Sequence, residues 1–190
     1  MVEEPRPDYF MPGLHFDPGP LGLDLYRLLC LYLADRRVMS IAIASEEKLH
    51  EAPLGDSLIR TLHDTHIDLE VLRILISSAV TLRIAFDQYS GSRLDPKLKN
   101  RTCGLLWPNW PKRKKESLTI REACNKIVHA GKIQRDIANP DPYGNPGNPD
   151  AYILPSIYLY GEKDGQNWRA KLLIVDFVKR ATAVWTQLVG

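Results

Sequence analysis

Three polar side chains near residue 120 have the types and the spacing to do chemistry. Arg121, Asn125 and His129 follow at four-residue intervals, so a helix would place them on one stripe. An imidazole with an ordinary pKa of about 6.5 exchanges protons near neutral pH, and a guanidinium presents a planar donor fork to a phosphate. Such a set could hold a phosphate and move a proton, as cleavage of RNA requires. A purely structural role at a helix end is the alternative.

A second candidate is a basic segment that also carries two tryptophans. Residues 93–115 hold eight basic side chains and one acidic one, whereas residues 1–92 hold eight basic and fourteen acidic ones. Because cations attract phosphates and exposed indoles stack on unpaired bases, this composition favours single-stranded RNA. A solvated loop whose tryptophans pack in the core is the alternative. The candidate nucleic-acid-binding residues are Lys97, Lys99, Arg101, Trp107, Trp110, Lys112, Arg113, Lys114 and Lys115.

Histidines and cysteines form no metal-binding pattern in this sequence. His63 and His66 are three residues apart, but no third ligand follows at a clear spacing. We therefore expect two helix-surface histidines, no metal and no other cofactor. Cys30, Cys103 and Cys124 are widely spaced and odd in number, which favours a reducing compartment over a disulfide framework.

Targeting signals are also absent from the sequence. The first seven residues lack the charged-then-apolar order of a signal peptide, and no apolar run is long enough to span a bilayer. We expect a cytoplasmic protein with no membrane partner.

The periodicity of apolar residues predicts the elements that must position these side chains. Five prolines predict an extended arm over residues 1–20. Helical spacing predicts a helix over 21–45, with its acidic side chains on the solvent side, and a second over 56–89 with a break near 64–67. Residues 93–116 are predicted to form a loop.

The second half of the chain has clearer local signals. Thr119 and Glu122 match a capping box, so a helix should begin there and stop at Gly131. Asp164 and Gly165 predict a hairpin turn. That turn should join strands over 152–162 and 166–174, with a further strand over 132–138 and a closing helix over 175–189.

The predicted fold is therefore mainly α (α+β). It is a helical bundle with a small antiparallel β-sheet or hairpin near the C-terminus. At 190 residues, one domain over 21–190 is expected after the arm.

The run from Arg121 through Asn125 to His129 resembles the signature helix of the HEPN superfamily. Its members are compact helical bundles, and many are prokaryotic ribonucleases of defence or toxin systems. The resemblance implies an RNA-directed protein and a metal-independent endoribonuclease. His129 would then act as acid and base, Arg121 would clamp the phosphate, and Asn125 would orient the imidazole or the substrate. It also implies a homodimer in which two such helices face each other.

A non-catalytic binding or regulatory module is the alternative to a ribonuclease. In that case the same helix is a surface for a protein partner, and a substitution at His129 leaves every RNA assay unchanged. Turnover of RNA without metal separates the two hypotheses.

Overall fold

The computed structural model describes most of the chain. The ranges are 17–48, 58–89, 91, 93–112, 114–138 and 152–190. The expected extended arm falls almost wholly outside the described residues. The predicted start of the second helix, near Asp56, also lies outside the described residues.

Two long helices come first and pack against each other. They are α1 (Gly19–Lys48) and α2 (Leu58–Tyr89). The break expected near 64–67 is wrong, because α2 is one continuous helix of 32 residues. No glycine or proline interrupts it, so each added residue gains a backbone hydrogen bond and the helix propagates.

A five-stranded antiparallel sheet follows, with two further helices between and after its strands. Its order is β2-β1-β5-β4-β3. The elements after α2 are β1 (Thr102–Trp107), β2 (Glu116–Thr119), α3 (Ile120–Val128), β3 (Lys132–Ala138), β4 (Tyr152–Lys163), β5 (Gln166–Leu173) and α4 (Ile174–Val189).

The α+β class is confirmed, but the sheet is larger than the predicted one and is not confined to the C-terminus. The loop expected over 93–116 is wrong, since it contains β1 and the start of β2. β1 lies between β2 and β5, and its pairing with β5 joins residues more than sixty positions apart. Long-range pairing of this kind leaves little local signal in the sequence.

The hairpin between β4 and β5 forms as predicted. Asp164 and Gly165 have φ angles of 53° and 73°, the left-handed conformation that a two-residue turn of this type needs. Glycine adopts it without steric cost, and aspartate tolerates it. The turn fixes which residues of the two strands lie opposite each other.

Alternation along the strands separates a covered face of the sheet from an open one. In β5, Trp168, Ala170 and Leu172 are buried in the core with residues of the helices. Arg169 and Lys171 therefore point to the other face. We call that side the open face.

The polar and apolar sides of the long helices differ from the prediction. Asp24 and Asp35 were expected on the solvent side of α1, but both are buried. Each is satisfied: Arg73 donates to Asp24 at 3.0 Å, and the backbone N–H of Ile153 donates to Asp35 at 2.7 Å. A buried carboxylate is tolerated when it is paired in this way.

α2 has apolar side chains on two opposite sides. The side that faces the core carries fully buried residues such as Ile74 and Leu82. The helical spacing of the apolar residues predicts a buried stripe that includes Leu62 and Leu69. Both lie on the other side and are exposed, Leu69 to 67% and Leu62 to 64%. We call this exposed side the outer stripe of α2; its residues are Leu58, Leu62, Leu69, Ile76 and Val80.

Among the described helices, none has the length and apolarity needed to cross a membrane.

Candidate nucleic-acid interface

The capping box places α3 where the sequence predicts it. Thr119 adopts an extended conformation, and its hydroxyl accepts a hydrogen bond from the backbone N–H of Glu122 at 3.3 Å. The last helical residue is Val128. His129 follows as the C-terminal cap, its backbone N–H donating to the carbonyl oxygen of Asn125 at 3.0 Å.

The three candidate catalytic side chains take separate partners. Arg121 pairs with Asp87 of α2, at 2.7 Å between Nη2 and Oδ1. The amide of Asn125 donates to Glu122 at 3.1 Å. The imidazole of His129 is exposed and makes no hydrogen bond within the described part of the chain.

Spacing along the helix keeps the two ends of this set apart. Arg121 and His129 are eight residues apart, which is about 12 Å along a helix axis. Within the described residues, no hydrogen bond or ion pair joins any two of the three side chains. One copy of α3 therefore presents an exposed imidazole at one end and an ion-paired guanidinium at the other.

Trp107 and Trp110 belong to a cluster on the open face. Pairing across four strands brings Lys132, Tyr160, Arg169 and Trp107 into one row. Trp110 follows in the short 3-10 turn after β1 and meets Trp107 edge to face, with ring centroids 5.8 Å apart. Neither tryptophan belongs to the core, and Trp110 is 39% exposed.

Arg169 lies at the centre of this aromatic cluster. Its guanidinium carbon is 4.0 Å from the ring centroid of Tyr158 and 4.2 Å from that of Trp110. Trp107 and Tyr160 lie at 5.3 and 5.6 Å, so four rings approach one cation within cation–π range. The Nε–H of Arg169 is buried and has no hydrogen-bond partner among the described residues.

Two lysines extend the positive charge around this cluster. Lys132 of β3 lies over the ring of Tyr160 at 5.8 Å. Lys171 lies over Tyr158 at 5.1 Å and donates to Asp136 at 2.7 Å, a contact that raises the pKa of the lysine. Lys171 therefore stays protonated at neutral pH.

The predicted basic residues divide between the two ends of β1. Lys112, Lys114 and Lys115 are exposed and follow Trp110, at the end of β1 nearest the aromatic cluster. Lys97, Lys99 and Arg101 precede the strand, where a short turn over Leu98–Asn100 packs against α3 and α4. Arg113 lies outside the described residues.

Five residues of the open face escaped the sequence prediction. They are Lys132, Tyr158, Tyr160, Arg169 and Lys171. A signal for the last four was present, because the turn at 164–165 places Tyr160 opposite Arg169 and Tyr158 opposite Lys171. Counting outward from a two-residue turn gives this register directly.

The two histidines of α2 have different surroundings. His63, expected at the surface, has a largely buried side chain whose Nε2 lies 2.7 Å from Asp35. Hydrogen bonds to Asp35 and Asp64 raise its pKa. His66 is exposed. In the part of the chain that the structure describes, no group of three metal-ligating side chains comes together.

Comparison with known proteins assigns no family to this arrangement. No protein-family model, no curated protein and no solved structure matches the chain. Its function is therefore inferred from the open face and from α3.

Proposed function

We propose that this protein is RNA-directed and binds single-stranded RNA on the open face of its sheet. The observation that carries the proposal is the position of Arg169 among four aromatic rings. Sheet faces with accessible aromatic side chains are a recurring platform for unpaired bases.

Each part of the cluster supplies a different interaction with RNA. The outer surfaces of Trp110 and Tyr160 offer stacking to bases, which is sequence-tolerant because every base has a π-face. Arg169 is only half-buried, and its guanidinium presents a planar donor fork to a phosphate or a base carbonyl. Lys112, Lys114 and Lys132 surround these rings with charge that attracts the phosphate backbone.

The dimensions of the row suit a short stretch of an unpaired strand. Four strands at about 4.8 Å spacing span about 14 Å, which accommodates two or three nucleotides. A duplex hides its bases from such a surface, so we infer a preference for single strands.

A titration with labelled oligonucleotides tests this proposal. We expect a 12-nucleotide single-stranded RNA to bind at least tenfold more tightly than a duplex of the same length, measured by fluorescence anisotropy. Three or four phosphate contacts should make the logarithm of affinity fall with the logarithm of salt concentration at a slope of about −2 to −3. Equal affinity for the duplex, or binding that ignores salt, would contradict the proposal.

The second candidate is a metal-independent endoribonuclease of the HEPN-like type. It is favoured by the exposed imidazole of His129, which follows α3 and precedes the start of β3 by three residues. Two residues further on, Gly131 donates its N–H to the carbonyl oxygen of Tyr160 at 2.9 Å. An RNA strand lying across Tyr160 and Lys132 would thus leave the sheet close to His129.

The chemistry at His129 would be transesterification. The imidazole accepts the proton of a 2′-hydroxyl as that oxygen attacks the adjacent phosphorus, and a proton returns to the departing 5′-oxygen. The products are a 2′,3′-cyclic phosphate and a 5′-hydroxyl. The resemblance assigns Arg121 to the phosphate and Asn125 to orientation, and two copies of α3 could bring Arg121 of one copy to His129 of the other.

An RNA-cleavage assay with EDTA present separates the ribonuclease from the binding module. We expect His129→Ala to lower the cleavage rate by about 100-fold or more, because general acid–base catalysis contributes about 10²–10⁴-fold. His66→Ala is the matched control, since it removes an exposed histidine from α2 and should leave the rate unchanged. If wild type binds RNA without cleaving it, the non-catalytic module is correct and the ribonuclease is not.

The homodimer is proposed on the outer stripe of α2. Its exposed apolar side chains amount to roughly 550 Å², close to the roughly 600 Å² that one partner buries in a small stable interface. Residues 58–70 carry three acidic side chains and one basic one, whereas residues 71–89 carry two basic side chains and one acidic one. Antiparallel pairing of two α2 helices would therefore place the net-negative first part of one helix beside the net-positive second part of the other.

Sedimentation equilibrium tests the dimer. We expect twice the chain mass of 21.6 kDa for wild type and the single mass for Leu69→Glu, which puts a charge in the middle of the stripe. A wild-type monomer at micromolar concentration would rule the dimer out.

The proposal also places the protein in the cytoplasm, as free thiols at Cys30, Cys103 and Cys124 fit a reducing compartment.

A further inference from the structure

A cavity of about 750 Å³ lies between the two long helices and the β3 edge of the sheet. Its walls come from α1, α2, β3 and β4, and from the residues that join α3 to β3. Most of the side chains that line it are apolar, among them Leu31, Ile67, Val71, Leu75, Ile133 and Ile157. Cavities of this size with few polar groups are typical of sites for small molecules.

Tyr32 supplies an unused donor in this cavity. The residue is only 7% exposed and lines the cavity, yet its hydroxyl makes no hydrogen bond to any residue that the structure describes. Burial and the nearby carboxylates of Asp68 and Asp35 raise the pKa of its phenol. An unpaired hydroxyl that borders open space in this way is free to donate to a bound molecule.

The charged groups near Tyr32 are already satisfied. Both carboxylate oxygens of Asp35 are used, one by His63 and the other by the backbone N–H of Ile153. Asp68 forms an ion pair with Arg135. Lys132 also lines the cavity, but its ammonium lies over the ring of Tyr160 on the open face. The cavity therefore has no free carboxylate for a cationic ligand, and the carboxylates beside the phenol disfavour an anion there.

We propose that this cavity binds an uncharged, largely apolar small molecule that carries one oxygen acceptor. Its apolar body lies against the walls, and its hydroxyl or carbonyl oxygen accepts a hydrogen bond from Tyr32. The inference does not depend on the proposed RNA function. The cavity also reaches Ala130 and Gly131, so a bound ligand touches the segment that directly follows His129.

Three probes with the same eight-carbon chain test the proposal: 1-octanol, octanoate and octylamine. At pH 7 the first is neutral, the second an anion and the third a cation. We expect 1-octanol to bind saturably in calorimetric and NMR titrations, and both charged probes to bind at least tenfold more weakly.

Two variants and a control test whether 1-octanol binds in this cavity. Tyr32→Phe keeps the ring and removes the donor, and we expect it to weaken 1-octanol binding by about five- to tenfold. Tyr26→Phe is the matched control, because Tyr26 is exposed on α1 and does not line the cavity. Ile137→Trp fills the cavity from a partly exposed wall position and should abolish binding.

Several results would overturn the proposal. They are the absence of saturable binding of 1-octanol, tighter binding of either charged probe, or unchanged affinity in a folded Tyr32→Phe variant. If Tyr32→Phe does not fold, as judged by circular dichroism, undiminished binding to Ile137→Trp is equally decisive against it.

Discussion

Arg169→Ala should weaken the binding of single-stranded RNA by about 100-fold. Within the described residues, four aromatic rings of the open face lie within cation–π range of this guanidinium. Its loss therefore removes a donor and also loosens the stacking surface. Stacking by one aromatic contributes about 1–3 kcal/mol per base, and 2.7 kcal/mol corresponds to roughly 100-fold in affinity. Fluorescence anisotropy with the 12-nucleotide RNA measures the change.

Two further variants separate the role of the guanidinium from that of charge. Arg169→Lys keeps the cation but loses the planar donor fork, and we expect it to recover only about tenfold of the lost affinity. Arg37→Ala removes an exposed arginine from α1, in the helical layer, and should change affinity less than twofold. Equal losses in Arg169→Ala and Arg37→Ala would show that net charge, and not the open face, determines binding.

Gly104→Ala should destabilise the protein by about 3 kcal/mol. Gly104 lies in β1 between β2 and β5, and a methyl group there would overlap the backbone carbonyl oxygen of Lys171. A strand backbone cannot move aside as a flexible side chain can, so the pairing of β1 with β5 must distort. Thermal unfolding should show a melting temperature lower by roughly 10 °C for a chain of this size.

Gly131→Ala is the matched control for this substitution. A methyl group at Gly131 meets nothing within 4 Å, and its backbone lies outside the left-handed region. We expect its stability to stay within about 0.5 kcal/mol of wild type. A Gly104→Ala variant as stable as Gly131→Ala would mean that β1 does not pair with β5 in the register described.

Local signals in the sequence were sufficient for some elements. Thr119 and Glu122 gave the start of α3, because a capping box involves residues only three positions apart. Asp164 and Gly165 gave the hairpin for the same reason. In both cases the interactions that decide the structure lie within one turn of chain.

Other features depend on contacts between distant residues and could not be predicted in this way. β1 forms because β5, late in the chain, pairs with it. The buried state of Asp35 depends on His63 and on the backbone of Ile153. In α2, apolar residues recur at helical spacing on two opposite sides. The periodicity alone therefore does not show which side faces the core and which is the outer stripe.

The candidate site was predicted only in part. Trp107 and Trp110 were singled out by composition, and the structure places both on the open face. Arg169, the cation between them and the tyrosines, was not predicted, because its contacts with Trp107 and Trp110 depend on the long-range pairing of β1 with β5. His129 is exposed as the ribonuclease hypothesis requires, whereas Arg121 is paired with Asp87.

The four tryptophans of the chain offer the most direct test of the open face as the RNA-binding surface. Trp107 and Trp110 lie on the open face, whereas Trp168 is buried in the core and Trp185 packs near α1 on the helical side. We propose to follow the four indole N–H signals by NMR while single-stranded RNA is added. The signals of Trp107 and Trp110 should shift or broaden, and those of Trp168 and Trp185 should stay in place. Saturable RNA binding that leaves Trp107 and Trp110 unchanged would contradict this account.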